Sequence, residues 1–191
     1  APVQNAAGES MPSSTPGENI VSNPGFESIE ASGKPSGWSA WFNDPAVEWG
    51  SDGASFHSGT RSLRVAGETA GRHFIAQKVA AEPGETYRLS FWVKSEDYSE
   101  GEAAVTCDFM PVNAKPRPYI SLAGMKGTKD WKEYSLLVTA PAGATSAHIC
   151  LIHTRGTLWF DDISFSRMSG KSAPTETPEA MLLENALLRV T

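Results

Sequence analysis

Short segments of alternating apolar and polar residues, separated by turn clusters, run through most of this 191-residue chain. The clearest segment is YRLSFWVK, in which Leu89, Phe91 and Val93 fall on one face. Side chains at every second position share one face of a β-strand, and the clusters EPGET and APAGAT precede strands as turns do. Because no convincing helical period occurs before residue 177, the sequence predicts an all-β sandwich or barrel.

Composition divides the chain into one folded region and three flanking segments. Residues 1–18 are rich in Ser, Pro, Gly and Ala, and residues 168–178 read MSGKSAPTETP, so we expect a flexible leader and a linker. The folded domain is expected over residues 19–167. The tail, residues 179–191, is either a short helix that packs back on the sandwich or the start of a further domain. The composition of the linker favours the second alternative.

Charge and composition narrow the classes of partner. The formal net charge is −6, which argues against nucleic acid. No apolar run approaches the roughly 18 residues of a membrane span. The first residues, APVQNAAGES, resemble those that follow a cleaved signal peptide, so we expect a secreted protein, extracellular or periplasmic. Cys107 and Cys150 are predicted to lie on opposite faces of their strands, and we therefore expect free thiols.

The segment GTLWFDDISF, residues 156–165, contains two adjacent aspartates in what is otherwise a strand pattern. Leu158 and Phe160 have one parity, whereas the apolar residues after Asp161 and Asp162 have the other. A one-residue slip of phase indicates a β-bulge, a feature that re-aims side chains near sheet edges and sites. Two interpretations follow from this segment: solvated carboxylates at a strand end, or a metal ligand.

The order of several motifs resembles that of a known family. Across residues 19–167 the chain contains NIVSNPGFES, PSGWSAW, HSGTRSLRV, IAQKVAAEPGETYRLSFWVKS and DWKEYSLLVTAPAGATSAHICLIHTRGTLWFDDISF. Together they resemble carbohydrate-binding modules of the four, nine and twenty-two type, which are jelly rolls appended to polysaccharide-degrading enzymes. The resemblance implies a jelly-roll β-sandwich of two antiparallel sheets. The first would contain SLRV, TLWFDDISF, YRLSFWVK and KEYSLLV, and the second HFIAQKV, AHICLIH, AAVTCDFM and a strand near PYISL.

The resemblance also implies a structural calcium ion. Its ligands would be the Gly25 carbonyl, the Glu27 carboxylate, backbone carbonyls near His57 and Thr60, and one of Asp161 and Asp162. Calcium prefers six to eight hard oxygens that mix carboxylates with backbone carbonyls. A bound ion would also offset the repulsion among the three carboxylates.

In this family the second sheet is concave and carries the glycan. Its outward residues would here be Phe74 or Ile75, Thr106, Asp108, Met110, His148, Cys150 and Ile152. Sugar sites combine apolar or aromatic surface with a few placed polar groups, so Asp108 and His148 are candidates for binding hydroxyls. The face has few aromatic residues, and the stacking candidates therefore come from loops: Trp41, Trp49 and Tyr119.

These features imply a non-catalytic module that binds a polysaccharide or oligosaccharide and targets a linked catalytic domain to it. Catalysis by this chain is not expected, because it contains neither HExxH nor GxSxG. The alternative is a structural or interaction domain that supports a neighbouring domain without binding a glycan. Trp92 and Trp159, which share the outward parity of the first sheet, would then form an exposed aromatic contact surface.

Overall fold

The computed structural model describes residues 15–99, 103–111 and 117–169. These residues form one 3₁₀ turn, Ala123–Met125, and eleven strands: β1 Thr15–Asn19, β2 Ser39–Ala40, β3 Val47–Asp52, β4 Ser62–Gly67, β5 His73–Ala80, β6 Thr86–Tyr98, β7 Ala104–Met110, β8 Tyr119–Ser121, β9 Gly127–Thr139, β10 Ser146–His153 and β11 Gly156–Ser169. No helix in the described part of the chain is long and apolar enough to cross a membrane. Strand β1 begins inside the predicted leader and β11 runs into the predicted linker. The rest of the leader and linker, and the whole tail, lie outside the described residues.

The strands form a sandwich of two antiparallel sheets. The first has the order β3-β4-β11-β6-β9, with β1 paired to β11, and the second has the order β2-β5-β10-β7-β8. The predicted membership of both sheets is confirmed, including the central position of the GTLWFDDISF strand between SLRV and YRLSFWVK. Strands β1, β2 and β3 are additions that the sequence pattern did not indicate.

The core lies between the two sheets and follows the period of two. Leu89, Phe91 and Val93 of β6 are fully buried, as the alternation predicted. Ile149 and Leu151 contribute from β10 on the opposite sheet. Burial of apolar area at about 25 cal/mol per Å² is the main stabilising contribution of such a core.

The predicted bulge in β11 is confirmed. The pairing of β11 with β6 shifts between Asp161 and Ser164, and Asp162 has a positive φ of 50°. Aspartate is among the residues that adopt this left-handed conformation most readily. The shift lets Phe160 and Ile163, which differ in parity, both face the core. It also turns the Asp161-Asp162 pair toward the loop that precedes β4.

The prediction that Trp92 and Trp159 form an exposed patch is wrong. Trp159 is only 7% exposed, because its indole N–H donates to Asp52 and the cations of Arg64 and Lys94 lie over its ring. Trp92 is half-buried under the imidazole of His57. Strand parity predicts only the face of a side chain, whereas its exposure depends on neighbours from other strands and loops.

The two cysteines face opposite sides of the second sheet, as predicted. Cys107 pairs across the sheet with Ile149 and faces the core, whereas Cys150 pairs with Thr106 on the outer side. Both are free thiols and both are buried. Burial raises the pKa of the Cys150 thiol to about 11, and it raises the pKa of Cys107 as well.

Candidate functional site

The outer face of the second sheet is built by the register of β5, β10 and β7. Lys78, His148 and Asp108 form one row across these strands, and Ala76, Cys150 and Thr106 form the next. Alternation places seven of the predicted outward residues on this face: Phe74, Thr106, Asp108, Met110, His148, Cys150 and Ile152. The sequence left Phe74 and Ile75 as alternatives, and Ile75 is fully buried in the core.

The floor of this face is partly apolar. Ala76, Ala104, Cys150 and Ile152 form a small buried cluster, against which the half-buried ring of Phe74 packs. The floor therefore consists of small and apolar side chains, and polar side chains lie beside it. That combination suits a sugar ring, which presents C–H groups on one side and hydroxyls at its rim.

A cleft of about 310 Å³ lies over this floor. It is lined by Arg72, Phe74, Ala103, Ala104, Thr106, Asp108, Arg117, Tyr119, Ser121 and Ile152. Its lining thus mixes an apolar floor and two aromatic rings with two guanidinium groups and one carboxylate. Small-molecule sites in proteins have this mixed character.

Asp108 is the polar centre of the cleft. Its Oδ2 atom accepts a hydrogen bond from the Thr106 hydroxyl at 3.4 Å and lies 3.9 Å from the Cys150 Sγ. Its Oδ1 atom is buried and accepts no hydrogen bond from the described residues; the Nε of Arg117 forms an ion pair with it at 3.6 Å, just beyond hydrogen-bond distance. A buried polar atom without a partner carries a free-energy penalty, so Oδ1 is an acceptor ready for a donor from a ligand.

Two exposed aromatic rings stand at opposite edges of the same sheet. Trp41, 52% exposed, follows β2, and its backbone N–H donates to the Phe74 carbonyl. Its ring meets the imidazole of His148 edge-on, with 5.0 Å between centroids. Tyr119, 61% exposed, begins β8 at the other edge and lines the cleft. The structure therefore brings two of the three predicted stacking residues to the predicted face.

The third stacking candidate, Trp49, lies elsewhere. It belongs to β3, the edge strand of the first sheet, and it packs half-buried against the core. The ammonium group of Lys34 lies over its ring at 4.5 Å from the centroid. Its placement follows from β3 joining the first sheet, which the sequence pattern did not indicate.

A second polar region joins the loop before β4 to the bulge in β11. Asp161 is fully buried, and its Oδ2 atom accepts hydrogen bonds from the backbone N–H groups of His57 at 2.8 Å and Ser58 at 3.1 Å. Its Oδ1 atom accepts from the N–H of Asp162 at 2.8 Å. Burial raises the pKa of Asp161 to about 6, although the N–H donors act in the opposite direction. Asp161 therefore ties the loop to the last strand.

The Asp162 carboxylate contacts the side chains of the same loop. Its Oδ2 atom lies 2.7 Å from the Nδ1 of His57, and its Oδ1 accepts from the Ser58 hydroxyl at 2.7 Å. The His57 ring stacks on Trp92 with 3.7 Å between centroids. The two adjacent aspartates thus hold both the backbone and the side chains of residues 57–58.

Glu27 holds the next residues of this loop. Its Oε1 atom accepts from the N–H groups of Thr60 at 2.7 Å and Arg61 at 3.1 Å, and its Oε2 accepts from the Thr60 hydroxyl at 2.6 Å. These bonds, the Thr60 hydroxyl first, lower the pKa of Glu27. Gly59 has a positive φ of 66°, and a Cβ there would collide with the Glu27 carboxylate.

Gly25 lies beside the two aspartate carboxylates and the Glu27 side chain. A Cβ at Gly25 would lie 3.6 Å from Asp161 Oδ1, 3.9 Å from Asp162 Oδ1 and 3.8 Å from Glu27 Cγ. Carboxylates with nearby backbone carbonyls are the hard donors that calcium prefers, so the chemistry of the donor set fits that ion. Within the described ranges, no three His, Cys, Asp or Glu side chains are arranged to hold a metal by themselves. A cation here would therefore also need the carbonyls of Gly25, His57 and Thr60.

Sequence reasoning missed two arginines of the cleft, Arg72 and Arg117. A signal for Arg72 was available, because it has the same parity as Phe74 and stands two residues before it. Arg117 comes just before Tyr119 in the segment KPRPYI, and no periodicity marks it. Its approach to Asp108 depends on the pairing of β7 with β8.

Comparisons with known proteins agree with this architecture. The sequence matches the family model of the carbohydrate binding domain of the CBM 4 and 9 type over residues 18–155. No curated protein matches the sequence.

Solved structures give the same fold at low sequence identity. The CBM22-1 xylan-binding domain of Xyn10C from Paenibacillus barcinonensis has a TM-score of 0.57 and 16% identity, covering 82% of this chain and 98% of that one. The CBM22-1–GH10 modules of Xyn10B from Clostridium thermocellum, complexed with xylohexaose, have a TM-score of 0.57 and 17% identity, covering 80% of this chain and 29% of that one. The enzymatically active domain of tailspike protein 4 from bacteriophage CBA120 has a TM-score of 0.64 and 18% identity, covering 78% of this chain and 21% of that one.

These structural similarities show the fold alone, and the present chain spans only about a fifth of the tailspike domain. The family model, in contrast, covers well over half of the chain and includes β2 to β10 completely. The chain therefore belongs to the carbohydrate binding domain family of the CBM 4 and 9 type, a non-catalytic kind of domain.

Proposed function

We propose that this domain binds a polysaccharide or oligosaccharide in the cleft on the outer face of the second sheet. The observation that carries the proposal is the buried Oδ1 atom of Asp108, which lines the cleft and accepts no hydrogen bond within the part of the chain that the structure describes. A sugar hydroxyl would donate to this oxygen and remove the penalty of leaving it unpaired. His148, in the same row of the sheet, is the second group for hydroxyls.

Aromatic surface supports the same assignment. Tyr119 and Phe74 line the cleft itself, and Trp41 stands beside His148 at the other edge of the sheet. An aromatic ring offers a large apolar surface at low entropic cost, which suits the C–H face of a sugar. Met110, 37% exposed, extends this surface beyond Asp108 along β7.

The biological role that we propose is targeting of a linked polysaccharide-active enzyme to its substrate, outside the cell or in the periplasm. Binding to a polymer through this domain makes the encounter of a tethered enzyme with that polymer effectively intramolecular. Support comes from the family and from the Clostridium thermocellum structure, in which a similar domain accompanies a GH10 module. The domain contributes binding, and the linked enzyme contributes the chemistry.

A structural calcium ion at the corner formed by Gly25, Glu27 and the bulge of β11 is part of the proposal. The position of Gly25 beside the Asp161 and Asp162 carboxylates and the Glu27 side chain supports it, because a cation would offset repulsion among these acidic residues. The carboxylates of Glu27 and one of Asp161 and Asp162, with the carbonyls of Gly25, His57 and Thr60, would hold the ion. Its contribution is to fix the loop against β11, on the first sheet, and it takes no part in glycan binding.

The test of glycan binding is a broad array of plant, algal and host glycans with wild type and Asp108→Ala. We expect binding by wild type and at least about tenfold weaker binding by the variant, because a hydrogen bond to a charged group contributes roughly 1.5–3 kcal/mol. The melting temperature should stay nearly unchanged, since Asp108 satisfies few partners in the free protein. Asp130→Ala, an exposed carboxylate on β9 of the other sheet, is the matched control and should bind like wild type. Absence of binding to every glycan at high protein concentration would favour the structural or interaction domain instead.

The test of calcium is thermal unfolding with added calcium and with excess chelator. An ion bound only by the folded state raises the melting temperature by mass action. Glu27→Ala should abolish the difference between the two conditions. Identical melting of wild type in both conditions, together with an elemental analysis that finds no calcium in the purified protein, would overturn this part of the proposal.

A further inference from the structure

The two sheets differ in their acidic residues. In the described strands of the second sheet, Asp108 is the single acidic residue, whereas the strands of the first sheet contain nine acidic residues beside six cations: Glu18, Glu48, Asp52, Glu96, Asp97, Asp130, Glu133, Asp161 and Asp162, with Arg64, Arg88, Lys94, Lys129, Lys132 and Arg167. The outer side of the second sheet also presents cations: Lys78 in the row of His148, and Arg72 and Arg117 in the cleft. With three cations and one carboxylate, the outer side of the second sheet is locally positive in a chain whose net charge is −6. Such a local field favours an anionic ligand.

Arg72 is the cation best placed to bind such a ligand. It lines the cleft, and its guanidinium lies 5.4 Å from the centroid of the Phe74 ring. Among the described residues, no carboxylate forms an ion pair with it. The guanidinium group is planar, and its contact with the ring restricts its orientation; its fork of N–H donors matches the two oxygens of a carboxylate.

Arg117 is only partly engaged by Asp108. Its Nε atom lies 3.6 Å from Asp108 Oδ1, beyond hydrogen-bond distance, and its side chain is 64% exposed. The cleft thus contains two guanidinium groups for one carboxylate, so one positive charge remains when the pair is counted as neutral. A ligand that brings both hydroxyls and a carboxylate would satisfy all three groups.

We infer that the cleft selects a glycan that contains uronic acid, with the sugar carboxylate bound by Arg72 and a neighbouring hydroxyl donating to Asp108. The inference rests on the proposed function, since it names the ligand class of that same cleft. It adds a requirement for negative charge on the sugar, which aromatic plates and hydroxyl acceptors alone would not impose.

The experiment compares polyuronates with their own carboxyl-reduced forms, so that the stereochemistry of each pair is matched. The probes are polygalacturonate, alginate and glucuronoxylan, each before and after reduction, with carrageenan and a set of uncharged glycans for comparison. Binding is measured by affinity electrophoresis and calorimetry at low and high salt. We expect at least one acidic form to bind about tenfold or more tightly than its reduced partner, with a difference that shrinks as salt rises. Arg72→Gln should reduce this difference to less than about twofold, because it removes the charge that tells the acidic form from the reduced one. Arg155→Gln, an exposed arginine paired with Glu68 outside the cleft, is the matched control and should keep the difference.

The outcomes separate the two proposals. Equal affinity for acidic and reduced forms, or equal weakening of both by Arg72→Gln, overturns the uronic acid inference and leaves glycan binding intact. Preference for a sulfated glycan such as carrageenan over every polyuronate overturns the choice of carboxylate. Absence of binding to every probe, acidic or neutral, in an array that also contains uncharged glycans overturns the proposed function and this inference together.

Discussion

The two polar regions of the molecule differ in how completely their carboxylates are paired. At the corner near Gly25, the carboxylates of Glu27, Asp161 and Asp162 all accept hydrogen bonds from the loop before β4. In the cleft of the second sheet, one buried oxygen of Asp108 accepts no hydrogen bond from the described residues and has only the Arg117 guanidinium nearby, at 3.6 Å. Paired groups contribute to the stability of the free protein, whereas an unpaired buried acceptor gains its partner only when a ligand arrives. We therefore propose that the corner contributes to stability and the cleft to binding.

Asp161→Ala should have the largest effect on stability. The substitution leaves the backbone N–H groups of His57, Ser58 and Asp162 without their acceptor in a buried setting. We expect the free energy of unfolding to fall by about 3 kcal/mol or more, measured by denaturant titration. Glu48→Gln, an exposed carboxylate on β3, should change it by less than about 0.5 kcal/mol. A loss of glycan affinity in folded Asp161→Ala protein would break the separation of the two regions.

Trp49→Ala should lower the stability of the fold and leave the glycan affinity unchanged. Trp49 packs against the core from the first sheet, and its truncation removes buried apolar area. We expect a loss of roughly 1–3 kcal/mol in the free energy of unfolding, since the side chain is half-buried. Calorimetry of the folded variant should give wild-type glycan affinity. Weakened affinity at unchanged stability would assign Trp49 to the binding site after all.

Acid should weaken the fold through His153. This residue is fully buried, its Nε2 lies 2.8 Å from the Gly156 carbonyl, and burial lowers its pKa below 6.5. Because the unfolded chain takes up the proton first, this contribution to stability is complete above pH 6.5 and falls as the pH drops below it. For one proton, the free energy of unfolding can fall by at most about 1.4 kcal/mol per pH unit.

His153→Gln is the variant that isolates this effect. Its amide can still donate to the Gly156 carbonyl but does not titrate, so stability between pH 6.5 and 5 should fall less steeply than in wild type. Asp161 opposes His153, since its pKa of about 6 is raised from 3.8 and its protonation in that range favours the folded state. Identical slopes for wild type and His153→Gln in denaturant titrations would refute the role of His153.

Trp41→Ala should have the smallest effect, confined to binding. More than half of the side chain is exposed, and its ring contacts the imidazole of His148. We expect affinity for a bound glycan to fall about 3- to 10-fold, the value of one aromatic contact. The melting temperature should change little, because exposed substitutions rarely exceed 0.5 kcal/mol. A large fall in melting temperature would show that Trp41 supports the sandwich instead.

The local pattern of the sequence predicts much of the fold. Alternation at Leu89, Phe91 and Val93 gives a strand with one buried face, and the phase slip at Asp161 gives the bulge. Both signals are local, because they depend on the geometry of a single strand. The grouping of strands into two sheets came from the family resemblance.

The site was less accessible to such reasoning. The approach of Arg117 to Asp108, the position of Trp49 on the first sheet and the stacking of His57 on Trp92 all depend on contacts between distant segments. Strand alternation predicts which face of the sheet a side chain lies on, but it does not predict which residues that side chain contacts. For this reason Trp159 was predicted to be exposed, although Asp52, Arg64 and Lys94 cover it.

The most direct test of the separation between cleft and corner is a nuclear magnetic resonance titration of isotope-labelled protein with a glycan that binds in the array. We predict that chemical-shift changes cluster on the outer face of the second sheet, at Thr106, Asp108, Tyr119 and His148 and at the indole of Trp41. Signals of residues 57–61 and of Asp161 should stay unchanged through saturation. Changes centred on the loop before β4, or on the first sheet around Trp92 and Trp159, would contradict the account.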